Sequence, residues 1–339
     1  MKAIVYSETG GTDVLRLVER EPAEPGPGEV RVRVAVSGVN PTDWKSRRGA
    51  TAAAPTGEVV PNQDGAGTVE GLAVGDRVWV YMAAQGRPTG TAQESTVLPA
   101  ERVLPLPDGV GFDVGASLGV PAITAHRALT VAEDGPRRLA PGALAGRTVL
   151  VAGGAGAVGH AALQLARWAG ATTIATVSGP AKAELARAAG AHHVVNYREA
   201  DAAEQVRRLA PDGVDQVVEL ALGANLELDL SVVRPRASIA VYANDGGVPV
   251  QLDVRRTMVL NTRFQSILMY TMGQENLDAA AQDVTAALRD GVLPVGEEHG
   301  LPLTRFPLER TADAHDAVEA GAVGKVLIDV AGGDGATGA

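Results

Sequence analysis

A glycine-rich segment at residues 147–190, RTVLVAGGAGAVGHAALQLARWAGATTIATVSGPAKAELARAAG, constrains the fold of this chain more than any other feature. The apolar run Thr148–Ala152 leads into Gly154-x-Gly156-x-x-Gly159, and an amphipathic helical pattern follows. In such a motif the first glycine permits a tight turn, the second lets backbone N–H groups approach a pyrophosphate, and the third lets the helix pack on the strand. The order strand, glycine turn, helix, strand and helix predicts a dinucleotide-binding unit. We call residues 154–159 the glycine clamp.

The end of the second strand of this segment distinguishes NAD from NADP. An NAD site usually places Asp or Glu there to hold the ribose hydroxyls, whereas this strand ends Thr176-Val177-Ser178-Gly179-Pro180. No carboxylate is there to repel a 2′-phosphate. Lys182 follows closely, in a chain where lysine occurs only at positions 2, 45, 182 and 325. We therefore predict NADPH as the cofactor, with an ordinary solvated helix lysine as the alternative interpretation of Lys182.

Composition excludes several classes of site and partner. The chain has no cysteine, so disulfides, thiolate zinc sites and a cysteine nucleophile are excluded, and its six histidines are scattered. No metal site is predicted. A formal charge of −10 argues against nucleic acid or an anionic membrane as the partner. Because the sequence contains neither an apolar signal core nor about 20 consecutive apolar residues, we expect a cytoplasmic protein.

Hydrophobic periodicity divides the chain into two kinds of region. Up to about residue 120, short alternating runs predict strands separated by turns, namely Val30–Val36, Arg77–Tyr81 and Ser95–Leu98. From Ala122 the period becomes helical. Beyond the two strands of the glycine-rich segment, four more strands are predicted, at His193–Tyr197, Val214–Leu222, Ser238–Ala243 and Phe264–Tyr270. Helical patterns between most of them are typical of a doubly wound parallel sheet.

The closing part of the chain predicts a return to the first region. It contains helical patterns near Asn276–Asp290 and Glu309–Ala320, and a strand pattern at Lys325–Val330. The terminal GGDGATGA is predicted to be disordered.

Six segments resemble, in the same order, the medium-chain dehydrogenase/reductase superfamily in its zinc-free quinone oxidoreductase branch. They are SGVNPTDWKSRRG, PNQDGAGTVEGLAVGDRVWV, LPLPDGVGFDVGASLGVPAITAHRAL, the glycine clamp, AAGAHHVVNYRE and AHDAVEAGAVGKVLIDV. The resemblance covers nearly the whole chain. It implies an α/β fold with a Rossmann doubly wound parallel sheet at residues 123–269 and a mostly β, GroES-like substrate domain built from 1–122 and 270–339. It also implies a homodimer, since members often pair through the edges of their nucleotide-domain sheets.

Departures from the zinc-containing alcohol dehydrogenases are also informative. Where those enzymes have a metal-binding Cys this chain has Asp43, and where they read Gly-His-Glu it has Asn62-Gln63-Asp64. By the resemblance, neither a catalytic nor a structural zinc is expected. Asn62 also replaces a glycine usual in the quinone branch, a mild change because Asn tolerates left-handed backbone better than other residues with a side chain.

The resemblance implies roles for individual residues. It puts Asn40 and Thr124 near the nicotinamide, and Lys325 where the superfamily often has a basic residue near the phosphates. Around the pyrophosphate and the adenosine 2′-phosphate it puts two groups, the clamp residues Gly154, Gly156, Ala157, Val158 and Gly159, and the group Ser178, Lys182 and Tyr197. Simpler interpretations remain open: Asn40 as a turn former before Pro41, Thr124 as a helix cap, and Tyr197 as a half-buried strand aromatic.

Strand ends and polar side chains supply the remaining candidates. The segment from Val241 to Asn244, with Tyr242, ends a strand on the same side as Leu268–Tyr270, so backbone from either is expected to reach the carboxamide of the nicotinamide. Candidate hydrogen-bond donors to the substrate are Asn40, Lys45 and one of Tyr81, Tyr242 and Tyr270. Lys45 has a surface charge as its alternative. Water or a cofactor ribose hydroxyl is an alternative source of the proton.

The predicted reaction is hydride transfer from NADPH to a small conjugated acceptor. Reduction of a simple ketone builds a localised alkoxide that zinc normally stabilises, whereas a quinone or an α,β-unsaturated carbonyl spreads the incoming charge. One alternative is an enoyl-thioester reductase. It would need a tunnel for a pantetheine arm and a basic mouth of that tunnel for the phosphate, to which Arg47 and Arg48 would contribute. The other is a non-enzymatic NADPH-binding protein.

Overall fold

The computed structural model describes residues 1–50, 54–70, 76–199, 201–245, 247 and 249–330. Its strands are β1 Lys2–Val5, β2 Arg16–Glu19, β3 Glu29–Val39, β4 Asp64–Glu70, β5 Arg77–Val80, β6 Ser95–Pro99, β7 Val103–Pro105, β8 Thr148–Ala152, β9 Thr172–Val177, β10 His193–Asn196, β11 Val214–Glu219, β12 Val233–Val241, β13 Arg263–Ser266, β14 Leu303–Pro307 and β15 Lys325–Asp329. Its α-helices are α1 Pro41–Arg47, α2 Phe112–Gly115, α3 Gly119–Leu129, α4 Ala157–Trp168, α5 Pro180–Ala188, α6 Ala202–Leu209, α7 Leu222–Val232, α8 Val254–Leu260, α9 Gln274–Arg289 and α10 Thr311–Glu319. The predicted disordered tail lies outside the described residues.

The chain folds into two units, of which unit 1 contains Met1–Val120 and the chain from Pro302 onward. Within its described residues, a sheet runs in the order β14-β15-β3-β4-β5-β7, with β6 also paired to β3. All of these pairs are antiparallel except β14 with β15. Along β3, Val32 and Val34 are buried while Arg33 between them is exposed, because successive side chains of a strand point to opposite faces.

Unit 2, Pro121–Leu301, is built around a parallel sheet. Over the described residues its strand order is β10-β9-β8-β11-β12-β13, and every neighbouring pair is parallel. In chain order this is 3-2-1-4-5-6, the order of a Rossmann sheet. The central strands bury Leu150, Ile174, Val217 and Ile239 almost completely, as expected where helices cover both faces. The predicted α/β class, with a Rossmann sheet and a mostly β domain, is confirmed.

The unit boundaries differ in one place from the predicted domains. Unit 2 begins within two residues of the predicted position, but residues 270–301, predicted to belong to the substrate domain, fold with the parallel sheet. Side-chain contacts explain this. On α9, Asp283 accepts hydrogen bonds from His126 and Arg138, and Gln164 on α4 accepts one from the backbone N–H of Leu293.

Most predicted strands exist, with shifted ends. The strand predicted at Val214–Leu222 stops at Glu219, where the chain turns into α7, and the strand predicted at Ser238–Ala243 starts earlier, at Val233. The strand predicted at Phe264–Tyr270 covers only Arg263–Ser266 and is followed by a 3-10 turn. Among the described residues, no helix combines the length and the apolar character needed to cross a membrane.

Candidate active site

The glycine clamp joins β8 to α4 through a turn that only small residues allow. The tight turn falls at Gly153, with φ +67°, and not at Gly154 as predicted. A Cβ at Gly154 would lie 2.7 Å from the Cβ of Ala175 on β9, and a Cβ at Gly159 would lie 2.3 Å from the carbonyl oxygen of Gly153. Both glycines are therefore needed for close packing of helix, turn and strand.

Gly156 leaves the glycine clamp open to solvent. The residue is exposed, and a Cβ there would meet only the carbonyl oxygen of Gly153, at 3.4 Å. It also forms the N-cap of α4, so the first-turn N–H groups of Ala157 and Val158 have no partner within the helix. Backbone donors and the positive end of the helix dipole suit a phosphate at this position.

Three residues predicted to hold a 2′-phosphate follow neighbouring strands. Asn196 on β10 is the register partner of Val177 on β9, so Ser178 and Tyr197 leave their strands side by side. The backbone N–H of Tyr197 donates to the carbonyl oxygen of Val177 at 3.1 Å, and the ring is 47% exposed beyond the strand. Lys182 is exposed in the first turn of α5. Two hydroxyls and an ammonium near the carboxyl ends of β9 and β10 suit a phosphate. No acidic residue directly follows β9.

The segments after β11 and β12 are held together at their carboxyl ends. The backbone N–H of Tyr242 donates to the carbonyl oxygen of Glu219 at 2.9 Å, and Ala221 forms an isolated β-bridge with Asn244. Tyr242 is half-buried, and burial together with the charge of Glu219 raises the pKa of its phenol. Tyr270, the other predicted strand-end tyrosine, lies in the 3-10 turn after β13.

Thr124 lies in the middle of α3 and is 6% exposed. The alternative interpretation of this residue as a helix cap is wrong, because α3 begins at Gly119, a full turn earlier.

Unit 1 contains a buried polar cluster that we define as Asn40, Asp43, Asp64 and Lys325, each at most 3% exposed. Asn40 is the N-cap residue of α1, with Pro41 in the first helical position, which fits its interpretation as a turn residue. Its backbone N–H donates to Asp43 Oδ2 at 2.7 Å. The backbone N–H of Gln63 donates to Asp43 Oδ1 at 3.1 Å. Both oxygens of Asp43 therefore bind backbone amides.

Asp64 is the centre of the polar cluster. Its Oδ2 accepts a hydrogen bond from Asn40 Nδ2 at 2.7 Å, and both of its oxygens lie 3.0 Å from the backbone nitrogen of Val120. The ammonium of Lys325 lies 3.7 Å from Asp64 Oδ2 and donates to Asn40 Oδ1 at 2.6 Å. A cation and an amide thus meet one carboxylate inside the protein.

Burial controls the protonation of the polar cluster. It raises the pKa of Asp43 to about 7, with the charge of Asp64 acting in the same direction. Burial also raises the pKa of Asp64, although Lys325 and Asn40 oppose that rise, and burial lowers the pKa of the Lys325 ammonium, although Asp64 and Asp43 oppose that fall.

Two members of the polar cluster, Asp43 and Asp64, lie where the resemblance puts the metal-binding Cys and the Glu of Gly-His-Glu in the zinc-containing alcohol dehydrogenases. Asp43 and Asp64 already accept hydrogen bonds from backbone and side-chain donors, and the Lys325 ammonium beside Asp64 would repel a divalent cation. Over the described residues, no three His, Cys, Asp or Glu side chains are grouped so that they could hold a metal ion.

The other predicted residues of unit 1 have partners of their own. Lys45 is half-buried, with its ammonium 5.7 Å from the ring centre of the adjacent Trp44. Tyr81 is completely buried, and its hydroxyl donates to the carbonyl oxygen of Glu101 at 3.2 Å.

The arginines suggested for a basic mouth are paired with an acidic residue. The Arg47 side chain is 0% exposed and donates to the carbonyl oxygen of Gly10 and to Glu319, both at 2.9 Å. Arg48 forms an ion pair with the same Glu319 at 2.6 Å. The predicted mouth is wrong for Arg47, because its enclosed guanidinium is already bound by Gly10 and Glu319 of the same unit.

A second buried network, which the sequence analysis did not predict, surrounds Asn62. Asn62 has φ +77°, its Oδ1 accepts from His315 Nε2 at 2.9 Å, and its Nδ2 donates to Ser37 Oγ at 3.0 Å. Burial lowers the pKa of His315 to about 3, so the ring is neutral and donates through Nε2. The replacement of a usual glycine by Asn was the sequence signal for the left-handed backbone, but nothing local pointed to a histidine on α10.

The predicted site residues thus form two groups, one in each unit. Asn40, Lys45, Tyr81 and Lys325 lie in unit 1, and of these the structure brings Asn40 and Lys325 into direct contact. The predicted cofactor-binding residues of unit 2 lie on α3, or in the turns and first helical turns that follow the carboxyl ends of parallel strands, where open α/β sheets bind their ligands.

Comparison with known proteins identifies relatives along almost the whole chain. Residues 26–108 match the alcohol dehydrogenase GroES-like domain, and residues 157–286 match the zinc-binding dehydrogenase family. The quinone oxidoreductase of Lama guanicoe is 31% identical and covers 97% of both chains. The 2-haloacrylate reductase of a Burkholderia species is 32% identical over 93% of this chain and 94% of its own.

A solved structure gives the same result. The quinone oxidoreductase of Thermus thermophilus, whose crystal structures include a complex with NADPH, superposes with a TM-score of 0.79 at 28% identity. The match covers 97% of this chain and 100% of that one. Two matching domain families in the right order, full-length relatives above 30% identity and a shared fold lead to one conclusion: the chain belongs to the medium-chain dehydrogenase/reductase superfamily, in its quinone oxidoreductase branch.

Proposed function

We propose that this protein is an NADPH-dependent, metal-free reductase that transfers hydride to a quinone or an α,β-unsaturated carbonyl compound. The observation that carries the proposal is the buried polar cluster. Where zinc-containing relatives supply a Lewis acid, this chain supplies an ammonium and an amide donor around Asp64. Hydrogen-bond donors of this kind can suffice for a delocalised enolate or hydroquinone anion, whereas zinc normally stabilises the localised alkoxide that reduction of a simple ketone builds.

The cofactor part of the proposal is supported by two groups of residues in unit 2 whose chemistry suits a phosphate. The pyrophosphate would lie on the clamp residues Gly154, Gly156, Ala157, Val158 and Gly159, where an open glycine and free helix amides meet. Ser178, Lys182 and Tyr197 would hold the 2′-phosphate. Thr124, Tyr242 and Asn244 would contact the nicotinamide end. When bound, NADPH supplies the hydride, and the protein's part is to bind both partners and position them.

The acceptor part is supported by the chemistry of the relatives. Both a quinone and a 2-haloacrylate contain a carbon–carbon double bond conjugated to a carbonyl group. The enzymes named for these two substrates are similarly related to this chain, at 31% and 32% identity. In our proposal Asn40 is the donor to the carbonyl oxygen of the acceptor. Lys45 remains a candidate proton source. Tyr81 is a weaker candidate, since its hydroxyl donates to Glu101 within unit 1.

The test is a cofactor-oxidation assay with matched acceptors. NADPH and NADH would each be combined with a benzoquinone, a simple enone, a saturated ketone of the same skeleton and an enoyl thioester, and the loss of nicotinamide absorbance would be followed. We expect turnover with NADPH and the quinone or enone, and none with the saturated ketone. Turnover with the thioester alone would favour the biosynthetic enoyl reductase, and tight NADPH binding without oxidation would favour a non-enzymatic role.

A homodimer is a further part of the proposal. Among the described strands β13 ends the parallel sheet, and the helix before it, α8, exposes Val254, Met258 and Val259 at 62%, 73% and 72%. A row of large apolar side chains beside an edge strand is typical of a surface that a second copy covers. The cytoplasmic location expected from the sequence stays a prediction.

A further inference from the structure

The orientation of the Asn40 side chain is fixed by two partners of opposite character. Lys325 Nζ is 2.6 Å from Asn40 Oδ1, and Asp64 Oδ2 is 2.7 Å from Asn40 Nδ2. A lysine ammonium can only donate and an ionised carboxylate can only accept, so exchanging the amide oxygen and nitrogen would break both hydrogen bonds. Nδ2 carries two hydrogens and gives one to Asp64, and the second is the hydrogen that the proposed function gives to the acceptor.

The space around these partners is shaped by two glycines. A Cβ at Gly119 would lie 2.0 Å from Asp64 Oδ1, and a Cβ at Gly38 would lie 2.0 Å from the carbonyl oxygen of Ala116 and 3.1 Å from Lys325 Cε. Neither glycine has a positive φ, so close approach and not backbone freedom requires them. The backbone therefore holds Lys325 and Asp64 in place around Asn40.

The enclosure of Lys325 argues for a role inside unit 1. The resemblance expects a basic residue here near the cofactor phosphates, but this side chain is 2% exposed and its ammonium binds Asn40 and lies near Asp64. A buried ammonium is costly unless it is paired. Asp64 and Asp43 supply that pairing, and the ammonium faces no other charged group among those that influence its ionisation.

We propose that Lys325 is a positioning residue for Asn40: its ammonium orients and polarises the amide so that the second Nδ2–H stabilises negative charge on the carbonyl oxygen of the acceptor. This inference rests on the proposed function. A cation at the amide oxygen draws electron density from the nitrogen, which makes its N–H a stronger donor, and the low dielectric of the interior strengthens the effect. The group is also held in place before the acceptor binds, so no reorganisation is needed during the reaction.

The test is a double-mutant cycle with two separate readouts. Lys325→Met, Asn40→Ala and the double variant would be compared with the wild type for kcat with an enone and for the Kd of NADPH. We expect Asn40→Ala to lower kcat about 100-fold, the usual loss for one such donor, and Lys325→Met to lower it about 10- to 100-fold. In the Asn40→Ala background Lys325→Met should change kcat by less than about 2-fold, because its partner is gone. The Kd of NADPH should be unchanged.

Two controls separate a positioning role from a structural one. Lys2→Met makes the same substitution at an exposed lysine paired with Glu309 and should leave kcat unchanged. Lys325→Met leaves Asp64 buried without its cation, which threatens folding. Asp64→Asn with Lys325→Met avoids that problem, since the introduced amide oxygen would still accept from Asn40, and it would be compared with Asp64→Asn alone. The loss of kcat should persist in that pair.

Several outcomes would overturn the inference. A higher Kd for NADPH in Lys325→Met with an unchanged kcat would assign Lys325 to the phosphates. Additive losses in the cycle would show that Lys325 does not act through Asn40. A folded wild type that oxidises NADPH with none of the acceptors would reject the proposed function itself, whereas an active wild type with an additive cycle would reject only this inference.

Discussion

The carboxyl groups of Glu219 and Asp229 interact in the interior of unit 2, where each shifts the pKa of the other. Both side chains are almost completely buried, Glu219 at the end of β11 and Asp229 on α7. Burial raises the pKa of both groups, that of Asp229 well above its ordinary value, and the charge of Glu219 raises it further. Of the two groups, Asp229 therefore favours the protonated form more strongly, while the two oxygens of Glu219 accept from Asn225 Nδ2 at 3.0 and 3.1 Å.

The raised pKa of Asp229 predicts a particular dependence of stability on pH. The folded state holds a proton on Asp229 that the unfolded chain releases, so its contribution is fully present below about pH 4 and is lost as the pH rises through the pKa of the folded state. Asp229→Asn keeps a donor for Glu219 but cannot ionise. The free energy of unfolding of this variant, relative to the wild type, should rise with pH by up to about 1.4 kcal/mol per unit while Asp229 titrates.

Urea unfolding at a series of pH values from about 4 upward would measure this difference. Asp212→Asn, which makes the same substitution at an exposed position before β11, is the matched control. Parallel stability curves for Asp229→Asn and the wild type would contradict a raised pKa of Asp229 in the folded state.

Asp283 predicts the opposite behaviour in acid. Burial alone would raise its pKa, but hydrogen bonds from His126, Arg138 and the backbone N–H of Leu139 lower it to about 2. A carboxylate of this kind stabilises the fold above its unfolded pKa of about 4, and that contribution disappears as the pH falls towards the folded value. Asp283→Asn should cost about 2 kcal/mol of unfolding free energy at neutral pH and clearly less near pH 3. Denaturant unfolding at both pH values measures this, and an equal cost at both would refute it.

The same contact shows where sequence reasoning stops. The parallel strands of unit 2 were predictable because each is a short apolar run between turn residues, with helical patterns between most of them. The placement of α9 was not, since it depends on Arg138 reaching Asp283 across 145 residues of sequence, and no local pattern contains that pair. For this reason the sequence alone does not show that residues 270–301 fold with the parallel sheet.

The candidate site divides in the same way. The glycine clamp and the absence of an acid after β9 are local features, so the sequence could predict them. The contact between Asn40 and Lys325 spans 285 residues, and none of the sequence patterns described above singles out Glu219 and Asp229, so these buried polar pairs emerge only from the folded chain. Burial also decides their protonation, and burial is a property of the tertiary structure.

Asn62 allows backbone strain and side-chain bonding to be measured separately. Asn62→Gly removes the hydrogen bonds to His315 and Ser37 but suits the positive φ, whereas Asn62→Ala removes the same bonds and keeps an unfavourable left-handed backbone. We expect both variants to be less stable than the wild type, with alanine worse than glycine by about 1 to 2 kcal/mol. Chemical denaturation checks the order. A glycine variant as unstable as the alanine variant would show that the backbone at this position carries no strain.

Lys182 predicts cofactor discrimination. If its ammonium meets the 2′-phosphate, Lys182→Ala should raise the Kd of NADPH about 10- to 100-fold, the usual value of a charge-assisted hydrogen bond, and leave the Kd of NADH unchanged. Arg187→Ala is the matched control, because it removes an exposed cation from the other end of α5 that is paired with Glu184. Fluorescence titration with both nucleotides gives the two constants. Equal losses for NADPH and NADH would remove Lys182 from the phosphate site.

The exposed apolar side of α8 predicts the oligomeric state. A charge placed among side chains that a second copy covers must be buried without a partner, which costs several kcal/mol and should dissociate a dimer. Met258→Glu combined with Val259→Glu should therefore halve the mass measured by sedimentation equilibrium while the far-UV circular dichroism stays the same. Leu209→Glu, at a 37% exposed leucine on α6, should leave the mass unchanged. If the wild type already sediments as a monomer, or the double variant remains a dimer, the edge formed by β13 and α8 does not carry the subunit contact.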